Sequence, residues 1–163
     1  MDTVSLKQIK TELHHLDREE LVTVCLRLAK FKKDSKELLH YLLFEASDEE
    51  ASIAGIQAQV EEQFADMNTA HVYYAKKSTQ KIVRQLNKYI RYSGLKKTKV
   101  EILLHFCKTL LDSGIPIYES KVLVNPLYRQ YNNIHKAWSG LHEDLQYDYE
   151  EQLSELESRI RRL

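Results

Sequence analysis

The sequence predicts an all-α fold. Glycine and proline are scarce, with four and two among 163 residues, whereas strand-rich folds need many turn-forming residues. Helix-capping residues recur three positions before Glu or Gln, and apolar residues follow them at intervals of three and four. We expect seven or eight helices in antiparallel hairpins, which form either a short α-α superhelix or a closed helical bundle.

Helix starts are marked by capping boxes, in which a Ser, Thr or Asp side chain caps the backbone and a Glu or Gln three residues later bonds back. Five such boxes occur, at Ser5–Gln8, Asp17–Glu20, Asp34–Glu37, Ser47–Glu50 and Thr98–Glu101. Asn125-Pro126 predicts a sixth start, since proline is tolerated in a first helical turn. Because glycine accepts the left-handed conformation after a last turn, helix ends are expected at Gly94, Gly114 and Gly140.

Apolar residues fall on one side of each predicted helix, as a core-facing stripe should. The stripes of the first three helices are Leu6, Ile9, Leu13 and Leu16; Leu21, Val24, Leu28 and Phe31; and Leu38, Leu39 and Leu42. The next three are Ile53, Ile56, Val60 and Phe64; Ile82, Leu86, Tyr89 and Ile90; and Val100, Leu103, Leu104, Cys107 and Leu111. The last two are Leu127, Tyr131, Ile134, Trp138 and Leu141; and Leu145, Tyr149, Leu153, Leu156, Ile160 and Leu163.

The chain length suits a single all-helical domain over residues 1–163. Its last segment, 141–163, is an amphipathic C-terminal helix that could be separable. It either packs on its own domain or pairs with a second copy, as in a coiled coil. Segment 115–124 is apolar on both sides and fits a short helix and an extended linker equally well.

Composition limits the cellular compartments and the binding partners that the protein could have. The chain carries 24 basic and 24 acidic residues, so its net charge exerts no overall attraction for nucleic acid or membrane. No apolar run approaches the roughly 20 residues that cross a bilayer, and residues 1–5 do not resemble a secretory signal. Cys25 and Cys107 are expected to be buried free thiols, which suits a reducing compartment. We therefore expect a cytoplasmic protein with no membrane partner.

Two segments resemble a family of small bacterial all-helical proteins of unknown function. The first is Leu6-Lys7-Gln8-Ile9-Lys10, followed by Leu13 and by Leu16-Asp17-Arg18-Glu19-Glu20-Leu21; the second is Ala75-Lys76-Lys77-Ser78, followed by Ile82. The resemblance covers the first two thirds of the chain. It implies an all-helical fold and a bacterial cytosolic setting, and it implies no activity and no functional residue.

No constellation of catalytic, cofactor-binding or metal-binding residues stands out in the sequence. His14 and His15 are adjacent and therefore point about 100° apart on a helix. The Cys-x-x-Cys and His-Glu-x-x-His metal motifs are absent, and the four glycines are isolated, so that no phosphate-binding loop is recognisable. We expect no cofactor, no metal and no catalytic residue, and keep an unrecognised enzyme as an alternative.

Charge is distributed unevenly along the chain. Residues 45–66 hold seven acids and no Lys or Arg, residues 67–100 hold nine bases and no acid, and residues 141–157 hold seven acids and no base. On the fifth predicted helix, five bases fall within an arc of about 80°. This basic ridge consists of Lys77, Lys81, Arg84, Lys88 and Arg91, and it is flanked by Tyr73, Tyr74 and Tyr92.

The basic ridge has three interpretations. It could pair internally with the acidic fourth helix, where exposed ion pairs contribute about 0–1 kcal/mol each. It could instead bind another protein, which would make the chain a non-catalytic interaction module, and this is the leading hypothesis. Thirdly, it could bind nucleic acid, with phosphates on the bases and nucleobases stacked on the tyrosines. The oligomeric state, monomer or homodimer, stays open.

Overall fold

The computed structural model describes residues 4–68, 72–117 and 121–163. Within them the chain forms eight α-helices and no strand, which confirms the predicted all-α class. The helices are α1 Leu6–Leu13, α2 Arg18–Phe31, α3 Lys33–His40, α4 Glu49–Ala65, α5 Val72–Ser93, α6 Lys96–Asp112, α7 Lys121–Trp138 and α8 Glu143–Ile160. A π-helical turn, Tyr41–Glu45, extends α3. No helix in these described ranges is both long and apolar enough to span a bilayer.

The first two predicted capping boxes are confirmed. The Ser5 side chain accepts from the Gln8 backbone N–H, and the Gln8 side chain accepts from the backbone N–H of Ser5 at 2.9 Å. Asp17 and Glu20 do the same at the start of α2, with distances of 2.8 and 2.9 Å. These boxes satisfy backbone donors that the helix itself leaves unpaired.

Three predicted capping boxes are wrong. Helix α3 begins at Lys33, so Asp34 lies inside its first turn, and Lys32 precedes the helix without a side-chain cap. The cap of α4 is Asp48, which accepts from Ala51, so the prediction at Ser47 misses by one residue. Thr98 lies within α6, where it is buried and bonds to another helix. The same residue types serve as caps or as tertiary donors, and spacing alone does not separate the two uses.

The predicted start at Asn125 is also wrong, because α7 already begins at Lys121 and contains Pro126. Proline is accommodated in this second turn close to the start of the helix, where few backbone bonds are at stake. Of the predicted ends, Gly94 and Gly114 follow α5 and α6 with φ of 68° and 70°. Gly140 has no positive φ; its carbonyl accepts a hydrogen bond from the Lys96 side chain at 3.0 Å.

The chain divides into two compact units, residues 1–47 and 48–163. Whether they act as one domain stays a prediction. In residues 48–163, α6 is the central helix and packs against α4, α5, α7 and α8. Four helices thus pack around one central helix, which resembles a helical bundle; the sequence favoured the short superhelix and kept the bundle as the alternative. Its fully buried side chains include Val100, Leu103, Phe106, Cys107 and Leu110.

Segment 115–124 and the final helix are placed within this same unit. Ile115 and Ile117 are buried, and the part from Lys121 onward is the first turn of α7; residues 118–120 lie outside the described ranges. Helix α8 packs on α6 and α7 and buries Tyr149, Leu153, Leu156 and Ile160. Of the two expectations for the last helix, packing on its own unit is therefore the one observed.

Polar bonds connect three helices of the bundle. The Ser93 hydroxyl at the end of α5 donates to the Glu49 carboxylate of α4 at 2.6 Å. The Thr98 hydroxyl of α6 donates to the same carboxylate oxygen. Thr98 is buried, and a buried hydroxyl without a partner would be costly. These bonds connect the start of α4 and the end of α5 to the start of α6.

Residues 1–47 differ, because the stripes predicted to face a core are largely exposed. In the described part of this unit, 4–47, Tyr41 is the single buried hydrophobic residue. Leu6 is 85% exposed, Phe31 76% and Phe44 70%. Helix α2 packs on α3, and α3 packs on the π-helical turn. Cys25, predicted to be a buried thiol, is exposed, whereas Cys107 is buried and burial raises its pKa well above the usual range.

Candidate ligand-binding cleft between two basic helices

Helix α5 is oriented by a narrow buried face. Ala75, Thr79, Ile82 and Leu86 recur at intervals of four, three and four and are all buried. Helix geometry puts the middle of the basic ridge about 180° from this face. The polar side of α5 therefore points away from the core, which confirms the amphipathic reading of this segment.

The structure places the members of the basic ridge in different surroundings. Lys77, Lys81, Arg84 and Arg91 are exposed, and Lys88 is half-buried. Lys88 and Arg91 interact with other groups of the chain. Of the flanking tyrosines, Tyr73 and Tyr74 are 61% and 51% exposed, and Tyr92 is half-buried.

The N-terminal half of the ridge carries cations without acidic partners. No carboxylate in the described ranges pairs with Lys77, Lys81 or Arg84. The Lys77 ammonium lies 5.5 Å from the centre of the Tyr73 ring, within cation–π range. Arg84 donates to the carbonyl of Gln80 in its own helix at 3.3 Å. The rings of Tyr73 and Tyr74 meet edge to face, 5.5 Å apart.

A cleft of about 660 Å³ lies between α5 and α7. Three cationic side chains line it, Lys76, Arg84 and Arg129, and no carboxylate among the described residues does. The remaining lining consists of the amides Gln80, Asn87, Asn125 and Gln130 and the apolar side chains Val83, Val122 and Pro126. Binding sites for small ligands or short segments combine apolar walls with a few convergent polar groups in this way. We call it the α5–α7 cleft.

Gln130 gives the α5–α7 cleft a buried polar wall. Its side chain is 2% exposed, and its amide oxygen accepts from Asn133 at 3.1 Å. Its amide nitrogen donates to no group in the described part of the chain. The nitrogen is not one of the enclosed unpaired polar atoms of the described residues, so it can donate to an acceptor bound in the cleft.

The two helices that form the cleft share one sign of charge. Helix α5 carries six Lys and Arg and α7 carries three, and neither contains Asp or Glu. Helix α4 contacts α5 and helix α8 contacts α7, and these outer helices hold four and seven acids. Each basic helix thus has an acidic helix as a neighbour. A cleft lined by one sign of charge concentrates ligands of the opposite sign.

Internal pairing of the ridge with α4 is the competing interpretation. Glu50 of α4 lies 4.0 Å from Lys97 of α6. Glu49 of α4 and Lys88 and Arg91 of the ridge have further interactions within the chain, so internal pairing remains an alternative for the C-terminal half of the ridge. The three cations that line the cleft have no carboxylate partner in the described ranges, and they stay available.

A second cleft, of about 310 Å³, lies among α4, α6 and α8, and its lining includes His105 and one carboxylate, Glu101. Its titratable groups have partners within the chain. Tyr149 donates a hydrogen bond to Glu101, and Lys108 pairs with Glu155 at 3.7 Å. Burial, followed by the bond to Glu101, raises the pKa of Tyr149 well above its usual range. These groups act as internal links between helices.

Sequence reasoning found Arg84 and missed Lys76, Arg129 and the four amides. Lys76 lies beside the ridge, on the side of α5 that turns toward α7. Arg129 was missed because α7 was expected to start at Asn125 and was not placed next to α5. One signal was present: residues 121–138 contain three bases and no acid, the same imbalance that marked α5.

Among the described residues, no group of three or more His, Cys, Asp or Glu side chains is arranged to hold a metal ion. No protein-family model, curated protein or solved structure matches this chain. The similarity of its first and central segments to bacterial helical proteins therefore stays a prediction.

Proposed function

We propose that this protein is a non-catalytic interaction module that binds a short acidic segment of another protein in the α5–α7 cleft. The observation that carries the proposal is a cleft lined by three cations and the buried residue Gln130, with no carboxylate in the part of its lining that the structure describes. Arginine binds carboxylates through two parallel hydrogen bonds. Arg84 and Arg129 would each hold a carboxylate of the ligand, and Gln130 would donate to its backbone or side chain.

The proposed ligand is short because of what surrounds the cleft. Acidic helices α4 and α8 border the basic pair, so a long polyanion would meet like charge where it left the cleft. The apolar side chains Val83, Val122 and Pro126 suit a peptide that alternates carboxylates with apolar residues. A cytoplasmic partner is part of the proposal, supported by two free thiols, Cys25 and Cys107.

Single-stranded nucleic acid is the second candidate ligand. It is favoured by the exposed pair Tyr73 and Tyr74, one to two helical turns from Lys77 and Lys81 on the same helix. Bases stack on exposed aromatic rings, with about 1–3 kcal/mol per base. In this case the phosphates would follow the basic ridge, and the amides of the cleft would matter less.

Fluorescence anisotropy distinguishes the two ligands. Labelled probes are a short peptide of glutamate and leucine, its lysine counterpart, and an oligothymidylate, each titrated at low salt and at about 200 mM salt. The proposal predicts saturable binding of the acidic peptide. Lys76→Glu with Arg129→Glu should weaken it by at least about tenfold, or about 1.4 kcal/mol. Binding should also weaken at the higher salt concentration.

The matched control is Lys7→Glu with Arg162→Glu, which changes the net charge equally at two exposed cations outside the cleft. This control should bind like the wild type. No binding of the acidic peptide at low salt, or equal losses in both double variants, would refute the proposed ligand. Tighter binding of oligothymidylate, lost in Tyr73→Ala, would replace it with the second candidate.

A further inference from the structure

The apolar surface of residues 1–47 centres on α2. This helix has Leu21, Val22, Val24, Cys25, Leu26, Leu28, Ala29 and Phe31 in fourteen residues. At 100° per residue they cover an arc of about 220°. The polar residues Glu19, Glu20, Thr23, Arg27 and Lys30 fit in the remaining arc, whereas Arg18, the first residue of the helix, falls within the apolar arc. A helix with so wide an apolar face is normally enclosed on several sides.

Most of this apolar surface is uncovered. Helix α2 packs on α3, yet Val22 is 47% exposed, Leu26 52% and Leu28 59%. Units of fewer than about 50 residues seldom bury enough apolar surface to be stable by themselves, and oligomerisation is a common remedy. Exposed apolar surface of this extent marks an interaction site.

The charges of α2 indicate which partner fits. Three acids, Asp17, Glu19 and Glu20, lie at its start beside one base, Arg18, and three bases, Arg27, Lys30 and Lys32, lie at its end. Helix α2 spans residues 18–31, so its midpoint falls between Val24 and Cys25, and Glu19 and Lys30 are equally far from it. A second α2 in antiparallel orientation would therefore place its Lys30 opposite Glu19. Both residues lie at the border between the polar arc and Leu26.

We propose that α2 forms a twofold, antiparallel contact with α2 of a second copy of this chain, which makes the protein a homodimer through residues 1–47. The contact is self-complementary in apolar surface and in charge, as a twofold interface requires. Within the described part of one chain, neither Glu19 nor Lys30 has an ionic partner. In the dimer, Glu19 and Lys30 would each gain an ionic partner, and Leu26 would become buried. This proposal is independent of the ligand of the α5–α7 cleft.

A membrane surface fits α2 less well than a second copy does. Helices that lie on membranes carry mainly Lys and Arg on their polar face. The polar face of α2 carries Glu19 and Glu20 as well as Arg27 and Lys30. The acidic end would be repelled by anionic lipids, whereas an antiparallel copy pairs both ends.

Light scattering during size-exclusion chromatography measures the mass of the full chain over a range of concentrations. We expect a species of twice the 19.2 kDa chain mass. Leu26→Asp should convert it to a monomer, because a carboxylate would be placed in the apolar contact. Leu163→Asp is the matched control, since Leu163 is similarly exposed at 44% and lies outside residues 1–47; this variant should stay dimeric.

A charge swap tests the antiparallel geometry. Glu19→Lys and Lys30→Glu should each raise the dimer dissociation constant by about tenfold or more, since each creates two like-charge contacts in the twofold dimer. The double variant Glu19→Lys with Lys30→Glu should return it to near the wild-type value. Fluorescence of Trp138, in the other unit, checks that residues 48–163 remain folded in every variant.

Three outcomes would overturn the proposal. The first is a monomer at every concentration. The second is a dimer that survives Leu26→Asp. The third is a double charge swap that dissociates more readily than the single reversals, which would mean that Glu19 and Lys30 do not face each other across the contact.

Discussion

The two units of the chain use the same kind of amphipathic sequence with different results. In residues 48–163 the apolar stripes of five helices meet around α6, and side chains such as Val100 and Phe106 are fully buried. In residues 4–47 the stripes of α1 and α2 remain exposed, and Tyr41 is the single buried hydrophobic residue. Periodicity thus predicts where a helix forms, whereas the number of neighbouring helices decides whether its apolar face is covered.

Local capping does not follow burial. The two complete capping boxes observed in the described ranges, at Ser5 and Asp17, belong to residues 1–47, but α3 in the same unit has no side-chain cap. The central helix α6 begins at Lys96 without a side-chain cap. Its start is held by tertiary bonds from Thr98 to Glu49 and from Lys96 to Gly140. Tertiary packing can therefore replace a local cap, because it supplies most of the stability of a buried helix.

The largest expected difference in stability is between alanine variants of two phenylalanines, one in each unit. Phe106→Ala should destabilise residues 48–163 by about 3–5 kcal/mol, because it empties a fully buried site. Phe44→Ala removes an exposed ring and should change the same free energy of unfolding by less than about 0.5 kcal/mol. Urea unfolding followed by Trp138 fluorescence measures both. Equal effects would mean that the two units share one core.

Thr98→Val tests the polar link at the start of α6. The change keeps the shape and removes a hydroxyl that donates to Glu49. We expect a loss of about 1–3 kcal/mol in the same unfolding measurement, since a half-buried carboxylate loses a donor. Thr109→Val is the control, because the Thr109 hydroxyl bonds only to a backbone carbonyl of its own helix; it should cost less. If Thr98→Val leaves the free energy of unfolding unchanged, the bond to Glu49 does not stabilise this unit.

Asp17→Ala tests local capping in the other unit. Losing the capping box should destabilise α2 by about 1 kcal/mol, and amide hydrogen exchange in α2 should quicken accordingly. The unfolding transition of Trp138 should not move. Glu12→Ala is the control, since Glu12 is an exposed carboxylate of α1 that lies away from any cap position. A shift of the Trp138 transition in Asp17→Ala would show that α2 supports the bundle.

The smallest expected effect is a loss of stability at alkaline pH. Burial and the bond to Glu101 raise the pKa of Tyr149 above its usual range, so the folded state keeps a proton that the unfolded state releases above about pH 10. Stability is therefore complete below that pH and falls as pH rises further. Tyr149→Phe should flatten this fall, as seen in unfolding at several pH values. An unchanged slope would show that Tyr149 titrates normally.

Much of the fold follows from the sequence, because helix periodicity is a local property. All eight helices were expected, and the stripes of α4 to α8 largely coincide with the buried residues. The errors arise where tertiary structure changes the use of a residue. Thr98 looked like a cap and is a buried donor; Pro126 looked like a start and lies inside α7.

The candidate site was predicted in part. Charge imbalance identified α5 and Arg84, but the α5–α7 cleft depends on α7 lying beside α5, which no local pattern specifies. The basic ridge was treated as uniform, whereas Lys88 is half-buried and Lys77 and Lys81 are exposed without an acidic partner in the described ranges. For α1 and α2, the sequence predicted apolar faces correctly and could not predict that they would remain exposed.

Hydrogen exchange of the full chain, resolved by helix and measured at two protein concentrations, tests the difference between the units most directly. The account predicts that amides of α6 are strongly protected at both concentrations, since α6 is enclosed by four helices of its own chain. Amides of α2 should exchange rapidly in dilute protein and slow down in concentrated protein, as a second copy covers them. Protection of α2 equal to that of α6 in dilute protein would contradict the account.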